Sequence, residues 1–163
     1  MAGAQASINK IKAETLTLES QKQEAVKGRS KLKEAVSSMK NQRNEIQSNL
    51  KRMYGGLDQI NGAINSVKSH PLGPDHPQVS EQLAKLRAQK EQIIGQISYL
   101  KKGLNEIGNR INEYSGKLES VGQNIEMMGS AVGARKAALQ KISGQMAAQI
   151  GLNSNRELGR KKG

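Results

Sequence analysis

Apolar side chains recur at alternating intervals of three and four along almost the whole chain, and only residues 69–78 interrupt them. One run opens at Ile8, Ile11, Thr15 and Leu18 and closes at Ile60, Ile64 and Val67. A second opens at Val79, Leu83 and Leu86 and closes at Leu139, Ile142 and Met146. A 3.5-residue period held this long marks the seam of a left-handed coiled coil, because it keeps one narrow stripe of each helix turned toward a partner. The first run predicts a helix over 7–68, with the Ser7 hydroxyl placed to cap its free amides. The second predicts a helix over 78–150. Residues 1–6 and 151–163 lack the period and read as a flexible N-terminus and a flexible basic C-terminal tail.

The interruption, Ser69-His70-Pro71-Leu72-Gly73-Pro74-Asp75-His76-Pro77, holds all three prolines of the chain. Each proline removes a backbone donor and restricts the residue before it, so 69–77 is a turn. Long helices of matched length joined by a short turn pack most readily against each other. The expected fold class is therefore all-α, a long antiparallel two-helix coiled-coil hairpin. Facing residue numbers should then add to about 143 or about 150, and the second register buries more of helix 2 by pairing Ile8 with Ile142.

Composition narrows the fold further. The chain has 163 residues with no Phe, Trp or Cys, and its three tyrosines are its only aromatics. A globular core would use several aromatics as fillers, whereas a seam one side chain wide does not need them. Without cysteine there are no disulfides and no thiolate chemistry. No N-terminal stretch has the make-up of a cleavable signal peptide, and no run approaches the ~20 apolar residues of a membrane span. A soluble protein of a cytoplasmic assembly or a virion is the resulting expectation.

Three departures from a plain coiled coil carry what functional signal there is. Glycine is the first: Gly108, Ser115, Gly122 and Gly129 fall seven apart beside the seam of helix 2. A row of small residues lets another helix approach closely, so this row reads as a packing stripe. Cations in the seam are the second: Lys22, Arg29, Arg43, Lys90 and Arg135. None has an acid at a facing seam position, so no buried ion pair is expected, and their long stems should cover apolar neighbours while the charges reach water.

The third departure is a basic end. The net charge is +12, and after Glu126 the only acid is Glu157, set against Arg135, Lys136, Lys141, Arg156, Arg160, Lys161 and Lys162. Those residues are candidate contacts for phosphate or an acidic protein surface. As a nucleic-acid site the segment lacks interleaved aromatics and any helix-turn-helix or finger pattern, so binding would be independent of sequence and sensitive to salt.

Catalytic chemistry has little to stand on. There is no phosphate-binding glycine loop, no His-Glu-x-x-His and no nucleophile elbow, and a two-helix hairpin offers no pocket that excludes water. His70, Asp75 and His76 are the nearest thing to a ligand set, but histidines between prolines read as turn residues. The expectation is no enzyme, no cofactor, no metal and no small-molecule substrate.

Two resemblances bear on function. Residues 70–86, above all Leu72-Gly73-Pro74-Asp75-His76-Pro77, resemble the repeat boundary of kinesin-light-chain-type tetratricopeptide repeats. No second copy follows at a repeat period and both flanking helices are far too long, so nothing is transferred. In overall plan the chain looks like the hairpin stalk proteins of type III and flagellar secretion ATPases, which implies a stalk or chaperone-like role. The favoured expectation is a structural homo-oligomer that packs with its own copies or with helical partners, first of all in a virus or phage particle. A sequence-independent nucleic-acid-packaging protein is a third reading.

Overall fold

A computed structural model of the chain describes residues 2–161, with side chains through Gly159. Two helices, α1 (Ala2–Lys68) and α2 (Pro77–Lys161), account for nearly all of it, and they pack against each other as a hairpin with no strand among the described residues. The seam is as the periodicity requires. Every buried residue among those described lies on it: Ile8, Thr15, Val36, Leu50 and Ile64 in α1, and Val79, Leu83, Ile97, Ile107, Ile111, Ile125 and Val132 in α2. The remaining seam positions are half-buried. No described side chain falls below 2% exposure, as expected when two helices share one line of contact with no second layer.

The hairpin divides into two compact units, 34–116 and 1–33 with 117–163. In the first, Ile64, Val79 and Leu83 form a buried cluster flanked by Ile60, Val67 and Leu86. There a Cβ added to Gly56 would lie 3.7 Å from Ile93 Cδ1, and one on Gly103 would lie 3.9 Å from Ile46 Cδ1. Both pairs of numbers add to about 150, which selects that register over 143. α1 runs unbroken through Gly55-Gly56.

In the second unit, Thr15 is the one buried polar residue among those described, and its hydroxyl donates to the Ile11 carbonyl at 2.7 Å. A threonine on the seam is thus satisfied by its own helix and needs no partner across it.

The turn puts each proline where it is tolerated. Gly73 N–H donates to the His70 carbonyl at 2.9 Å and His76 N–H to the Gly73 carbonyl at 3.3 Å. Two β-turns therefore follow one another, with Pro71 and Pro74 each at the second position that suits a fixed φ. Gly73 has φ of 81°, the one positive value among the described residues, and it links the two turns. Pro77 opens α2 at the first helical position, where its missing N–H is no loss.

At both chain ends the boundaries differ from the sequence expectation. α1 already begins at Ala2, so 2–6 is helix; Met1 lies outside the described residues. Ser7 is not its cap, because its hydroxyl donates back to the Gly3 carbonyl at 3.0 Å. Ala2, Ala4, Gln5 and Ala6 are strong helix formers and extend the helix ahead of the periodic residues. α2 likewise continues to Lys161 in place of a tail from Gly151. No proline stops it, and loss of the apolar period removes burial without removing helicity. From Ala147 to Gly159 every residue is exposed. Lys162 and Gly163 lie outside the described residues.

Candidate docking surface

Antiparallel helices bring two flanks together beside their seam, and the two flanks of this hairpin differ in character. With the register near 150, heptad e positions of α1 face e positions of α2. In the unit of 1–33 and 117–163 this flank holds a groove of about 470 Å³ lined by Glu19, Lys22, Gln23, Val26, Lys27, Val132 and Lys136. Val26 and Val132 form an apolar floor, and three ammonium groups rim it. Lys136 Nζ is held by Glu19 Oε1 at 2.9 Å. Lys22 Nζ instead lies 3.4 Å from the point a Cβ on Gly129 would occupy, leaning over the glycine with no carboxylate partner among the described residues.

In the unit of 34–116 the opposite flank carries apolar and aromatic surface. Tyr99 is 78% exposed and stands between two grooves, one beside Met53 and Gly95 and one beside Ile46 and Gly103. On the e flank of the same unit, Lys101 Nζ sits 5.5 Å from the Tyr54 ring centroid, a cation–π contact.

The glycine row is open over most of its length. A Cβ at Gly108 or Gly122 would meet nothing within 4 Å, and Ser115 is exposed. Only at Gly129 does a side chain of α1, that of Lys22, lean in. The row therefore serves no backbone approach between α1 and α2. Close packing of the hairpin itself cannot account for it.

The seam cations divide by partner. Arg135 Nε donates to Glu14 Oε2 at 3.3 Å, a half-exposed pair. Glu14 flanks the seam and does not face it, which is why a search of facing seam positions overlooks it, as it does Glu19 for Lys136. Both acids could have been found from the flank positions once the register was known. Pairs this open contribute little, typically below 1 kcal/mol. Lys22, Arg29, Lys90 and Arg43 are half-buried, as snorkelling stems should be.

Arg43 departs from that pattern. Its Nε is buried without a hydrogen-bond partner. Arg43→Leu should therefore stabilise the chain by about 1–2 kcal/mol, since it removes an unsatisfied donor and fills a seam position with apolar volume. Urea denaturation followed by circular dichroism measures this; a loss of stability would show that the guanidinium is satisfied in solution.

Of the basic-end residues, Arg135 and Lys136 are engaged by Glu14 and Glu19, while Lys141 and Arg156 are exposed. Arg160 and Lys161 lie in the last turn of α2, beyond the described side chains, and Lys162 lies outside the described residues. The described ones are strung along α2 and are not gathered into one patch. In the turn, His70 Nδ1 accepts from Leu72 N–H at 3.1 Å and His76 Nδ1 from Gln78 N–H at 3.3 Å. Both imidazoles are thus used to shape the turn and to cap α2. No described helix is long and apolar enough to cross a membrane. Compared with known proteins, the chain matches no family model, no curated protein and no solved structure.

Proposed function

We propose that this chain is a non-enzymatic structural hairpin that packs side by side with copies of itself or with other helical subunits in a large assembly, of the kind found in virus and phage particles. The observation that carries the reading is the open glycine row. Gly108 and Gly122 each lower helix stability by about 1 kcal/mol relative to alanine, yet nothing in the hairpin occupies the space they leave. A neighbouring helix outside the hairpin is the occupant that would use it. Large apolar side chains on the outer faces, among them Leu16 at 67% and Met127 at 69% exposure, support the same reading. The particle is the finer part of the proposal and rests on the small, cysteine-free, basic coiled-coil plan alone.

Sedimentation velocity of the full chain over a range of concentrations tests the self-packing form. Concentration-dependent growth beyond the monomer is expected. A monomer that persists at every concentration would remove self-packing.

A further inference from the structure

We propose that the groove of Lys22, Val26, Lys27 and Val132 receives the α2 segment 118–134 of a second copy, and gives its own 118–134 to that copy in return. The inference rests on the self-packing reading and names its contact.

Segment 118–134 is unlike the rest of the chain. The whole carries +12, yet between Lys117 and Arg135 there is no lysine or arginine, and the charges present are Glu119 and Glu126. Both are exposed, and neither has an ion pair or hydrogen bond among the described residues. Their neighbours at three and four residues are Ser115, Gly116, Gly122, Gln123, Gly129 and Ser130, so no cation on the same helix can answer them. In the groove, Lys22 and Lys27 likewise have no ion pair among the described residues. Glu119, Glu126, Lys22 and Lys27 all lie within one compact unit.

Their arrangement is self-complementary. The groove opens on the e flank, and Glu119 and Glu126 occupy b positions, which adjoin e around the helix. Acid and glycine therefore alternate along the b and e stripe of α2 as Glu119, Gly122, Glu126 and Gly129, and Lys22 of the groove reaches that stripe at Gly129. Two copies related by a twofold axis would set the acids of each against the lysines of the other. Such an isologous contact uses the same patch twice and closes on itself. Val26, 38% exposed, is the apolar side chain each copy offers, and the missing Cβ at Gly122 leaves open space for it on the other.

A phosphate backbone fits less well, because Glu119 and Glu126 lie on the flank of α2 next to the e positions and would repel it. An acidic helix of another protein would use the lysines and leave those two carboxylates facing its own charge. The pairing also explains how a chain of net charge +12 could associate with itself. Attraction at the contact is short-ranged, while repulsion between the distant charges is screened beyond about 8–10 Å.

The test compares the full-length chain with E119K/E126K, with K22E/K27E, and with an equimolar mixture of the two variants, by sedimentation equilibrium. Each variant alone should dimerise at least 10-fold more weakly than the parent. The mixture should recover association to within a few-fold, because opposite patches then meet. Circular dichroism checks that helix content is retained.

A second measurement covers misfolding. The parent has no cysteine, so Lys27→Cys and Glu126→Cys chains, each with one thiol, should form a mixed disulfide when combined. Self-association unaffected by either charge reversal, with no mixed disulfide, would overturn the contact and leave self-packing standing. A parent that stays monomeric overturns both. Loss of duplex DNA binding in K22E/K27E without any self-association would make the groove a phosphate site and overturn the contact as well.

Discussion

Alanine at Gly95, Gly108 and Gly116 together raises the free energy of unfolding by about 3 kcal/mol, read from urea denaturation followed by circular dichroism. All three lie inside α2, and a Cβ at any of them would meet nothing within 4 Å. The gain is then close to the helix propensity difference alone, about 1 kcal/mol per site, most of it from the smaller conformational freedom of the unfolded chain. Near additivity is expected, since the open Cβ positions share no partner atoms. Gly129 sets the contrast. There the new methyl group would meet the Lys22 Nζ at 3.4 Å, a van der Waals contact with the end of a flexible side chain in place of open space. A triple variant no more stable than the parent would mean that these positions are already crowded by something outside the hairpin.

That outcome bears on function as well as on stability. A helix improved so simply has not been tuned for solitary stability, and glycine at an outer or flanking position is useful only where something must come close. Gly108→Ala belongs to the row beside the seam, whereas Gly95→Ala and Gly116→Ala lie farther out. If lateral packing uses the row, Gly108→Ala should stabilise the dilute monomer and weaken assembly at the same time. Opposite signs in the two measurements would separate a packing stripe from compositional drift, in which both would move together or assembly would not move.

The seam was legible in the sequence because its period is set by backbone geometry: Ile8 through Met146 alternate in the only rhythm that keeps one line of side chains between two helices. The turn was legible for an equally local reason, since three prolines admit few conformations. The chain ends were not. Periodicity reports burial, and 151–161 stays helical without being buried, so its loss at Ile150 marked the end of contact and not the end of α2. Cross-helix ion pairs were hidden too, because Arg135–Glu14 and Lys136–Glu19 involve flank positions whose partners follow only from the register. The groove on the e flank was missed for the same cause: Val26 and Lys27 in α1 and Val132 and Lys136 in α2 are far apart in sequence and share a wall only after the hairpin closes.

Closure itself can be probed beside the turn. Leu83→Ala should destabilise the chain by about 3 kcal/mol, within the 2–5 kcal/mol of buried leucine truncations. Leu83 is 4% exposed and packs with Ile64 and Val79 in the buried cluster flanked by Ile60, Val67 and Leu86. Elsewhere in the unit of 34–116 many seam side chains are only half-buried, so truncating Leu100, which lines the open grooves around Tyr99, should have the smaller effect. The difference arises from geometry. Near the turn the two helices are tethered by eight residues, 69–76, and cannot splay to fill a cavity, while farther along a seam partly open to water has less transfer energy to lose. Equal losses for Leu83→Ala and Leu100→Ala in urea unfolding would show that the turn cluster is no tighter than the rest of the seam, and that the hairpin is held closed by its length and not by a lock at the bend.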